Sequence, residues 1–255
     1  MLKNGFAFLP QGESGALPRQ PLVGSFECPT ILTLPSLSFS RPMNLSYRLG
    51  WCCFRFLYAT YFHWRVFNPE RVPREGAVIL AANHASFIDP PLVGAGLTRP
   101  INYLARKTLF DVPVVGTLLR SWKVVPVDRD GGGGAGLKAI LDRLLDGGII
   151  LLFPEGTRSH DGGLRPAKAG IGLTVIKSGA PVVPVRVFGT FEACGRHMRL
   201  PRPRRVVVKY GPPLDFKAAR EEAKACSKHR LKELYQEVAE QIMAEITKLE
   251  PRQDP

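Results

Sequence analysis

The chain has 255 residues, enough for one large α/β domain and too few for two comfortable ones, and its 45% of hydrophobic residues predicts a full core. Lys and Arg number 35 against 22 Asp and Glu, a formal charge of +13, which indicates anionic partners: nucleic acid, anionic lipid or phosphorylated substrates. The five cysteines show neither C-x2-C nor Cys/His spacing, so no zinc site and no disulfide framework is indicated, as is typical of a reducing compartment.

The first 67 residues divide into an extension and a helix. Residues 1–42 are rich in Gly, Pro and Ser and show no hydrophobic period, which predicts a disordered or poorly packed extension. From Asn44 to Phe67 the chain is dense in aromatic residues. On a helical wheel its basic residues fall on one side, interrupted by aromatic residues: Arg48, Arg55, His63 and Arg65, with Trp51, Tyr58 and Phe62 among them.

The other side of this predicted helix is apolar, with Leu49, Cys53, Phe56, Leu57, Tyr61 and Trp64. Because Arg55 interrupts the apolar run, it stays well short of the roughly 18 residues that a membrane-spanning helix needs. Residues 43–67 are therefore predicted to form an amphipathic helix at a membrane interface. The alternative is that the apolar side simply packs against the domain.

A turn between a strand and a helix carries the first candidate site residues. The apolar run 76–80 predicts a buried strand, and Asp89-Pro90-Pro91 predicts a helix start with Asp89 as its cap. A carboxylate five residues after His84 can bind one imidazole nitrogen and leave the other to take a proton from a hydroxyl. His84 and Asp89 are thus a candidate general base and its orienting group. The alternative makes Asp89 only a helix cap and His84 only a structural turn residue.

Strands and helices alternate along the rest of the chain. Further strands are predicted at 101–105, 124–127, 149–153, 182–188 and 206–210, and helices at 137–145, 169–177 and 217–249. This alternation predicts an α/β fold, a mostly parallel sheet flanked by helices, with its core over 68–215 and a C-terminal helix and tail over 216–255. Because ligands bind at the carboxyl ends of strands in such folds, the His84 turn and the turn at 154–159 are expected to meet.

A glycine run offers a rival function. Gly131, Gly133 and Gly136 fit G-x-G-x-x-G between a strand and a helix, with Glu155 downstream, as in dinucleotide-binding turns. The segment Asp128-Arg129-Asp130 separates the strand from the glycines, and its two carboxylates would repel a pyrophosphate. A flexible connector is the favoured interpretation.

Four short blocks follow one another along the chain: NHASFID at 83–89, VPVDR at 125–129, FPEGTRS at 153–159 and VPV at 183–185. In this order they resemble the glycerolipid acyltransferases of the 1-acylglycerol-3-phosphate acyltransferase type, and the resemblance covers about residues 44–215. Two departures stand out. Lys123 occupies the position where the family usually has Gly at the entry to the second block, and Thr108 stands where it often has an acidic residue.

The resemblance implies an O-acyltransferase. It would move an acyl chain from a thioester, on coenzyme A or acyl carrier protein, to the free sn-2 hydroxyl of 1-acylglycerol-3-phosphate and so make phosphatidate. His84 and Asp89 would be catalytic, Arg158 and Arg129 would bind the phosphate through paired hydrogen bonds, and Lys107 would add a third positive charge.

The third block supplies the remaining implied substrate-binding residues, Glu155, Gly156 and Thr157. Glu155 would orient Arg158 or an acceptor hydroxyl, or serve structurally as the partner of a backbone amide. Gly156 would permit a tight turn. Donors for the oxyanion are expected near residues 86–91 or in a nearby turn. Neither a cofactor nor a metal is implied.

The expected partners are a lysophospholipid acceptor, an acyl thioester donor and a membrane surface, with the protein at the cytoplasmic face as a peripheral or monotopic protein. Nucleic acid is not expected, because no helix-turn-helix, zinc spacing or RNA-binding aromatic signature is present. The alternatives are the same chemistry on another lysophospholipid or a lyso-aminolipid, and a non-catalytic basic membrane-binding module.

Overall fold

The computed structural model describes residues 44–127, 134–198 and 200–254. Its strands, in chain order, are β1 (Arg65–Phe67), β2 (Val78–Ala82), β3 (Ile101–Asn102), β4 (Leu104–Arg106), β5 (Val125–Val127), β6 (Ile149–Leu152), β7 (Val182–Phe188) and β8 (Val207–Tyr210). Six of them form one sheet of order β1-β8-β7-β2-β6-β3, and β4 pairs with β5 in a separate small sheet. All neighbours are parallel except β7 and β8. The predicted mostly parallel sheet is confirmed.

Helices cover both faces of this sheet. They are α1 (Leu45–Thr60), α2 (Asp89–Ala95), α3 (Pro113–Ser121), α4 (Gly134–Leu145), α5 (Gly170–Ser178), α6 (Thr190–Cys194), α7 (Lys217–Ala225) and α8 (Lys228–Lys248). Alternate residues of β2 point to opposite faces, as the strand period requires. Leu80 packs in a core with Tyr58 of α1 and Leu92 of α2, whereas Ile79 packs in a second core with residues of α4, α5 and α8. The continuously apolar sequence of β2 follows from burial on both sides.

The helix predicted over 44–67 is shorter than expected. It ends at Thr60, and the chain then reverses where His63 adopts a left-handed conformation with φ 45°. Residues 65–67, predicted as helix, form the edge strand β1 beside β8 instead. The sequence did not indicate this reversal, because the aromatic pattern continues through it.

The helix α1 also packs with a different side from the one that the wheel indicated. Trp51 and Tyr58, which fall among the basic residues, are buried, whereas Leu49 and Phe56 are exposed, the latter by 72%. Arg55 donates to the carbonyl of Ala95 (2.7 Å) and lies over the Trp51 ring, so it is held against the domain. The alternative interpretation, in which the apolar side of the wheel packs on the domain, is therefore wrong.

Two other predicted elements are divided. The strand at 101–105 splits between the main sheet and the small one, as β3 and β4. The C-terminal helix breaks after Ala225, because Ser227 caps a new helix by accepting a hydrogen bond from the Arg230 amide at 3.2 Å. The predicted apolar stripe of that helix does pack on the domain, with Leu234, Val238, Ile242 and Ile246 buried. Residues 1–42 lie outside the described residues.

Candidate active site

The first turn begins where β2 leaves the sheet. Asn83 extends the pairing of β2 with β7 by one residue, since its side-chain oxygen accepts from the Val187 amide (2.8 Å) and its nitrogen donates to the Val187 carbonyl (3.2 Å). The amide side chain thus replaces a backbone partner. This pairing fixes the backbone directly before His84.

His84 and Asp89 are brought together within that turn. His84 Nδ1 lies 2.9 Å from Asp89 Oδ2, and the same oxygen accepts the amides of Ala85 and Ser86, each at 2.7 Å. Asp89 is fully buried and is the first residue of α2, with Ile88 at the cap position. The predicted capping role is wrong, because the carboxylate turns back toward the His84 turn. With Nδ1 donating to Asp89, the neutral imidazole keeps its Nε2 lone pair for a proton.

The second turn follows β6 and is tied to the first at two points. Glu155 Oε1 accepts the His84 amide at 3.1 Å, and the Ser159 amide donates to the His84 carbonyl at 2.7 Å. The His84 ring also stacks on Phe153, with centroids 3.9 Å apart. Because β2 and β6 are parallel neighbours, both turns lie at the same edge of the sheet. The expected meeting of the two turns is observed.

Glu155 is a brace for the first turn rather than a residue of the cavity. It is 2% exposed, and it contacts the backbone of His84 and does not line the cavity described below. Burial raises the pKa of Glu155 to about 7, and the nearby Asp89 adds to the effect. The structural alternative for Glu155 is thus the one that its contacts favour.

Gly156 and Arg158 give the second turn its shape and charge. Gly156 has φ +70°, a left-handed conformation that a side chain would strain. The guanidinium of Arg158 lies 3.3 Å above the centroid of the Phe87 ring, which belongs to the first turn. This stacking holds the guanidinium plane beside the His84 turn.

A cavity of about 630 Å³ opens at this edge of the sheet. Its chemically active lining comprises His84, Thr157 and three arginines, Arg106, Arg158 and Arg196. The remaining wall is mainly aromatic and aliphatic, with Tyr47, Trp51, Phe54, Phe87, Pro90, Pro91, Ala95, Tyr103, Leu104, Ala105, Thr108, Leu109, Leu119, Trp122 and Val124. Among the described residues that line it, none carries a carboxylate. The cavity therefore combines a positive potential with an apolar wall.

Trp122 lines the cavity directly before Lys123, the position where the sequence departs from the family pattern. Lys123 adopts φ 55°, the conformation that the usual glycine would adopt without strain. Trp122 packs so closely on α1 that a Cβ at Gly50 would lie 2.3 Å from its ring. The local pocket is thus completed by the N-terminal helix.

The structure does not place every predicted site residue on the cavity. Lys107 is exposed and does not line the cavity, whereas its neighbour Arg106 does. Arg129 lies outside the described residues, as does the run Gly131 to Gly133 of the rival dinucleotide motif. Gly136 lies in the first turn of α4 and does not line the cavity.

Arg196 was not predicted, because it stands in a segment without a recognisable motif. Its position depends on the first turn: Ser86 forms an antiparallel bridge with Gly195, and the Ser86 hydroxyl donates to the Cys194 carbonyl. The Arg196 guanidinium is also 3.1 Å from His160 Nε2. No sequence signal pointed to the bridge between Ser86 and Gly195, because these residues are 109 positions apart.

The expected oxyanion donors near residues 86–91 are few. The Ser86 amide is bound by Asp89, and the Ile88 amide donates to the Ser86 hydroxyl at 3.3 Å. Pro90 and Pro91 have no N–H. The amides of Ser86 and Ile88 are therefore already engaged within the turn.

Comparison with known proteins finds similarity to acyltransferases. Residues 63–188 match the model of a family described as Acyltransferase. The chain is 33% identical over 127 residues to the 1-acyl-sn-glycerol-3-phosphate acyltransferase of Bacillus subtilis (strain 168), covering 49% of this chain and 62% of that protein. The corresponding protein of Borreliella burgdorferi is 31% identical over 128 residues, 49% of this chain and 51% of that one. The chain thus spans between half and two-thirds of the length of these relatives.

A solved structure is similar over a larger share. The crystal structure of PlsC, the 1-acyl-sn-glycerophosphate (LPA) acyltransferase from Thermotoga maritima, superposes with a TM-score of 0.60 at 26% identity, covering 81% of this chain and 80% of that one. The chain therefore shares the α/β fold of that acyltransferase, a mostly parallel sheet flanked by helices. Residues 63–188 are thus similar to the acyltransferase family, and the predicted resemblance to the 1-acylglycerol-3-phosphate acyltransferases is confirmed.

Proposed function

We propose that the protein transfers an acyl chain from a thioester, on coenzyme A or acyl carrier protein, to the free sn-2 hydroxyl of 1-acylglycerol-3-phosphate, giving phosphatidate. The observation that carries this proposal is the His84–Asp89 pair at 2.9 Å on a cavity that also presents Arg158 and an apolar wall. An imidazole base, a guanidinium and a hydrocarbon surface match the hydroxyl, the phosphate and the acyl chain of such an acceptor.

His84 Nε2 takes the proton of the acceptor hydroxyl as its oxygen attacks the thioester carbonyl. The buried Asp89 carboxylate holds the tautomer and stabilises the imidazolium that forms. When the tetrahedral intermediate collapses, the C–S bond breaks and the imidazolium returns the proton to the leaving thiolate. The products are the new oxygen ester and a free thiol, and no acyl-enzyme is required.

Arg158 is the group that we assign to the acceptor phosphate. Its stacking on Phe87 keeps the guanidinium plane beside the His84 turn, so a phosphate bound there places the neighbouring glycerol hydroxyl near the base. Three arginines line the described part of the cavity, and this concentration of positive charge favours an anionic ligand. Roles for Arg129, Lys107 and Thr157 stay predictions.

Membrane association is the second part of the proposal, at the cytoplasmic face. No helix of the described residues is long and apolar enough to cross a bilayer. The exposed side of α1 carries Leu45, Leu49, Phe56 and Leu57, an apolar strip suited to a headgroup interface.

Deleting α1 would be an unsound test of this membrane contact, because Tyr58 is part of the core. The pair Leu49→Asp and Phe56→Asp should instead lower vesicle binding about tenfold without unfolding the domain.

The deciding experiment is an assay of the purified full chain on a panel of lysolipids, with acyl-coenzyme A and acyl-acyl carrier protein compared as donors. We expect thiol release only with a lysolipid present and fastest with 1-acylglycerol-3-phosphate. Preference for a lyso-aminolipid or an uncharged lysolipid would refute the assigned acceptor while keeping the chemistry. Vesicle binding without any acyl transfer would refute the enzyme and favour a binding module.

A further inference from the structure

Residues 107–121 form a short hairpin, hereafter the 107–121 hairpin, made of a 3-10 turn (Lys107–Asp111) and α3. Its outer side is apolar and exposed. Val114 is 80% exposed, and four neighbouring side chains are exposed by 40–46%: Leu109, Val112, Val115 and Leu118. Five large apolar side chains on one 15-residue element exceed the scattered exposure that is normal for a protein surface.

The hairpin is internally braced, so its apolar side is not the result of a loose loop. The Gly116 amide donates to the Val112 carbonyl at 2.6 Å, and a Cβ at Gly116 would lie 2.1 Å from the Phe110 carbonyl oxygen. Arg120 donates to the same Phe110 carbonyl at 3.1 Å. The two arms are thus locked together while the valines point outward.

Basic residues border this apolar surface. Arg106, Lys107, Arg120 and Lys123 are exposed, and Asp111 is the only acidic residue between 106 and 123. An apolar ridge bordered by Lys and Arg is complementary to a bilayer with anionic headgroups, because the ridge enters the acyl region while the cations stay at the phosphates.

The apolar side of the 107–121 hairpin also reaches the cavity. Leu109 is both an exposed residue of the hairpin and part of the cavity lining, together with the adjacent Arg106 and Thr108. At its other end, Ser121 shares a 3.0 Å hydrogen bond with Ser46 at the start of α1. The hairpin therefore connects the apolar strip of α1 with the entrance of the candidate active site.

We infer that the 107–121 hairpin is a second membrane-contacting element, which inserts Val112, Val114, Val115 and Leu118 into one leaflet and brings the cavity entrance at Leu109 to the lipid surface. The membrane contact stands on the hairpin alone. The delivery of a lipid acceptor to the cavity rests on the proposed function.

The test is the double variant Val114→Asp and Leu118→Asp in the full chain. Neither residue lines the cavity. The matched control is Leu145→Asp. Leu145 is 82% exposed on α4, and α4 packs in the core on the other face of the sheet from α1. Binding is measured by co-sedimentation with vesicles of equal parts phosphatidylcholine and phosphatidylglycerol. Activity is measured on 1-acylglycerol-3-phosphate in those vesicles and on a short-chain, monomerically dissolved form.

We expect the double variant to bind vesicles about tenfold more weakly and to lose vesicle activity in proportion, with activity on the dissolved acceptor kept within about twofold. The control should match the wild type. Unchanged vesicle binding would overturn the inference, as would a change of oligomeric state without a change in vesicle binding, which would make the ridge a contact between copies.

Two further arms keep the test decisive. If circular dichroism shows that the Asp pair does not fold, the milder Val114→Ser and Leu118→Ser pair takes its place with the same expected direction. If the wild type shows no acyl transfer on either acceptor, the proposed function fails, while weaker vesicle binding of the variant would still support the hairpin contact.

Discussion

The two turns that meet at the edge of the sheet each bury a carboxylate, and the two carboxylates differ in the number of hydrogen-bond donors that they receive. Asp89 Oδ2 receives three donors, from His84 Nδ1 and the amides of Ala85 and Ser86. Glu155 receives one, the His84 amide, and its pKa rises to about 7. Burial raises the pKa of the second carboxylate above its usual value. The first carboxylate thus serves as the partner of the His84 ring and the second as a brace for the His84 backbone, and they differ in how many N–H groups surround them.

The difference predicts how each turn responds to substitution. Changes in the His84 turn should act on the chemical step, because the proposed base lies there. Changes in the Glu155–Arg158 turn should act on acceptor binding and on stability, because Arg158 is the proposed phosphate ligand and Glu155 holds the backbone of His84.

The largest effect is expected for His84→Ala. Removing the base should lower kcat by about 10²–10⁴-fold, with vesicle binding and the unfolding temperature unchanged. The measurement is thiol release at saturating donor and acceptor. His229→Ala is the control, since that histidine is exposed on α8. Activity of His84→Ala within a few-fold of the wild type would remove His84 from the reaction.

The next largest effect is expected for Arg158→Ala in the second turn, which should weaken acceptor binding instead of the chemical step. The KM for 1-acylglycerol-3-phosphate should rise by about 10–100-fold, as expected for a charge-assisted contact, while the KM for the thioester stays the same. Arg74→Ala serves as control, because Arg74 is exposed and precedes β2 at the opposite edge of the sheet. Equal loss on phosphorylated and uncharged acceptors would argue against phosphate binding by Arg158.

Glu155→Gln should give the smallest change in activity and a characteristic change in stability. The folded-state pKa of Glu155 is raised from 4.5 to about 7, so the folded protein holds a proton that the unfolded chain has released. The free energy of unfolding of the wild type should therefore fall as pH rises from about 4.5 to 7, by on the order of 1–3 kcal/mol, relative to Glu155→Gln. Urea unfolding at several pH values measures this difference, and parallel curves would contradict it.

Sequence patterning predicted α8 well and α1 poorly, for a physical reason. The stripe of α8 is aliphatic, so its burial follows from the helical period alone. The buried side of α1 uses Trp51 and Tyr58, whose polar atoms donate to the carbonyls of Leu97 and Ile88 at 2.9 and 3.1 Å. Aromatic residues with such partners can be buried beside arginines, which a hydrophobicity wheel does not register.

The candidate site shows the same limit. The spacing of His84 and Asp89 is local, and one turn is enough to bring them together. Arg196 reaches the cavity only through the bridge between Ser86 and Gly195, a long-range contact without a sequence signature. The choice of Arg106 over Lys107 depends on which way β4 presents its last residue, and the motif alone does not determine that.

The measurement that tests the central claim most directly is a double-mutant cycle on His84→Ala and Asp89→Asn, read as thiol release on addition of 1-acylglycerol-3-phosphate. If Asp89 acts only by orienting and charging His84, Asp89→Asn should lower the rate in the wild-type background and have no further effect once His84 is alanine. If Asp89→Asn lowers the rate by the same factor in both backgrounds, the two residues act independently and the general-base pair is contradicted.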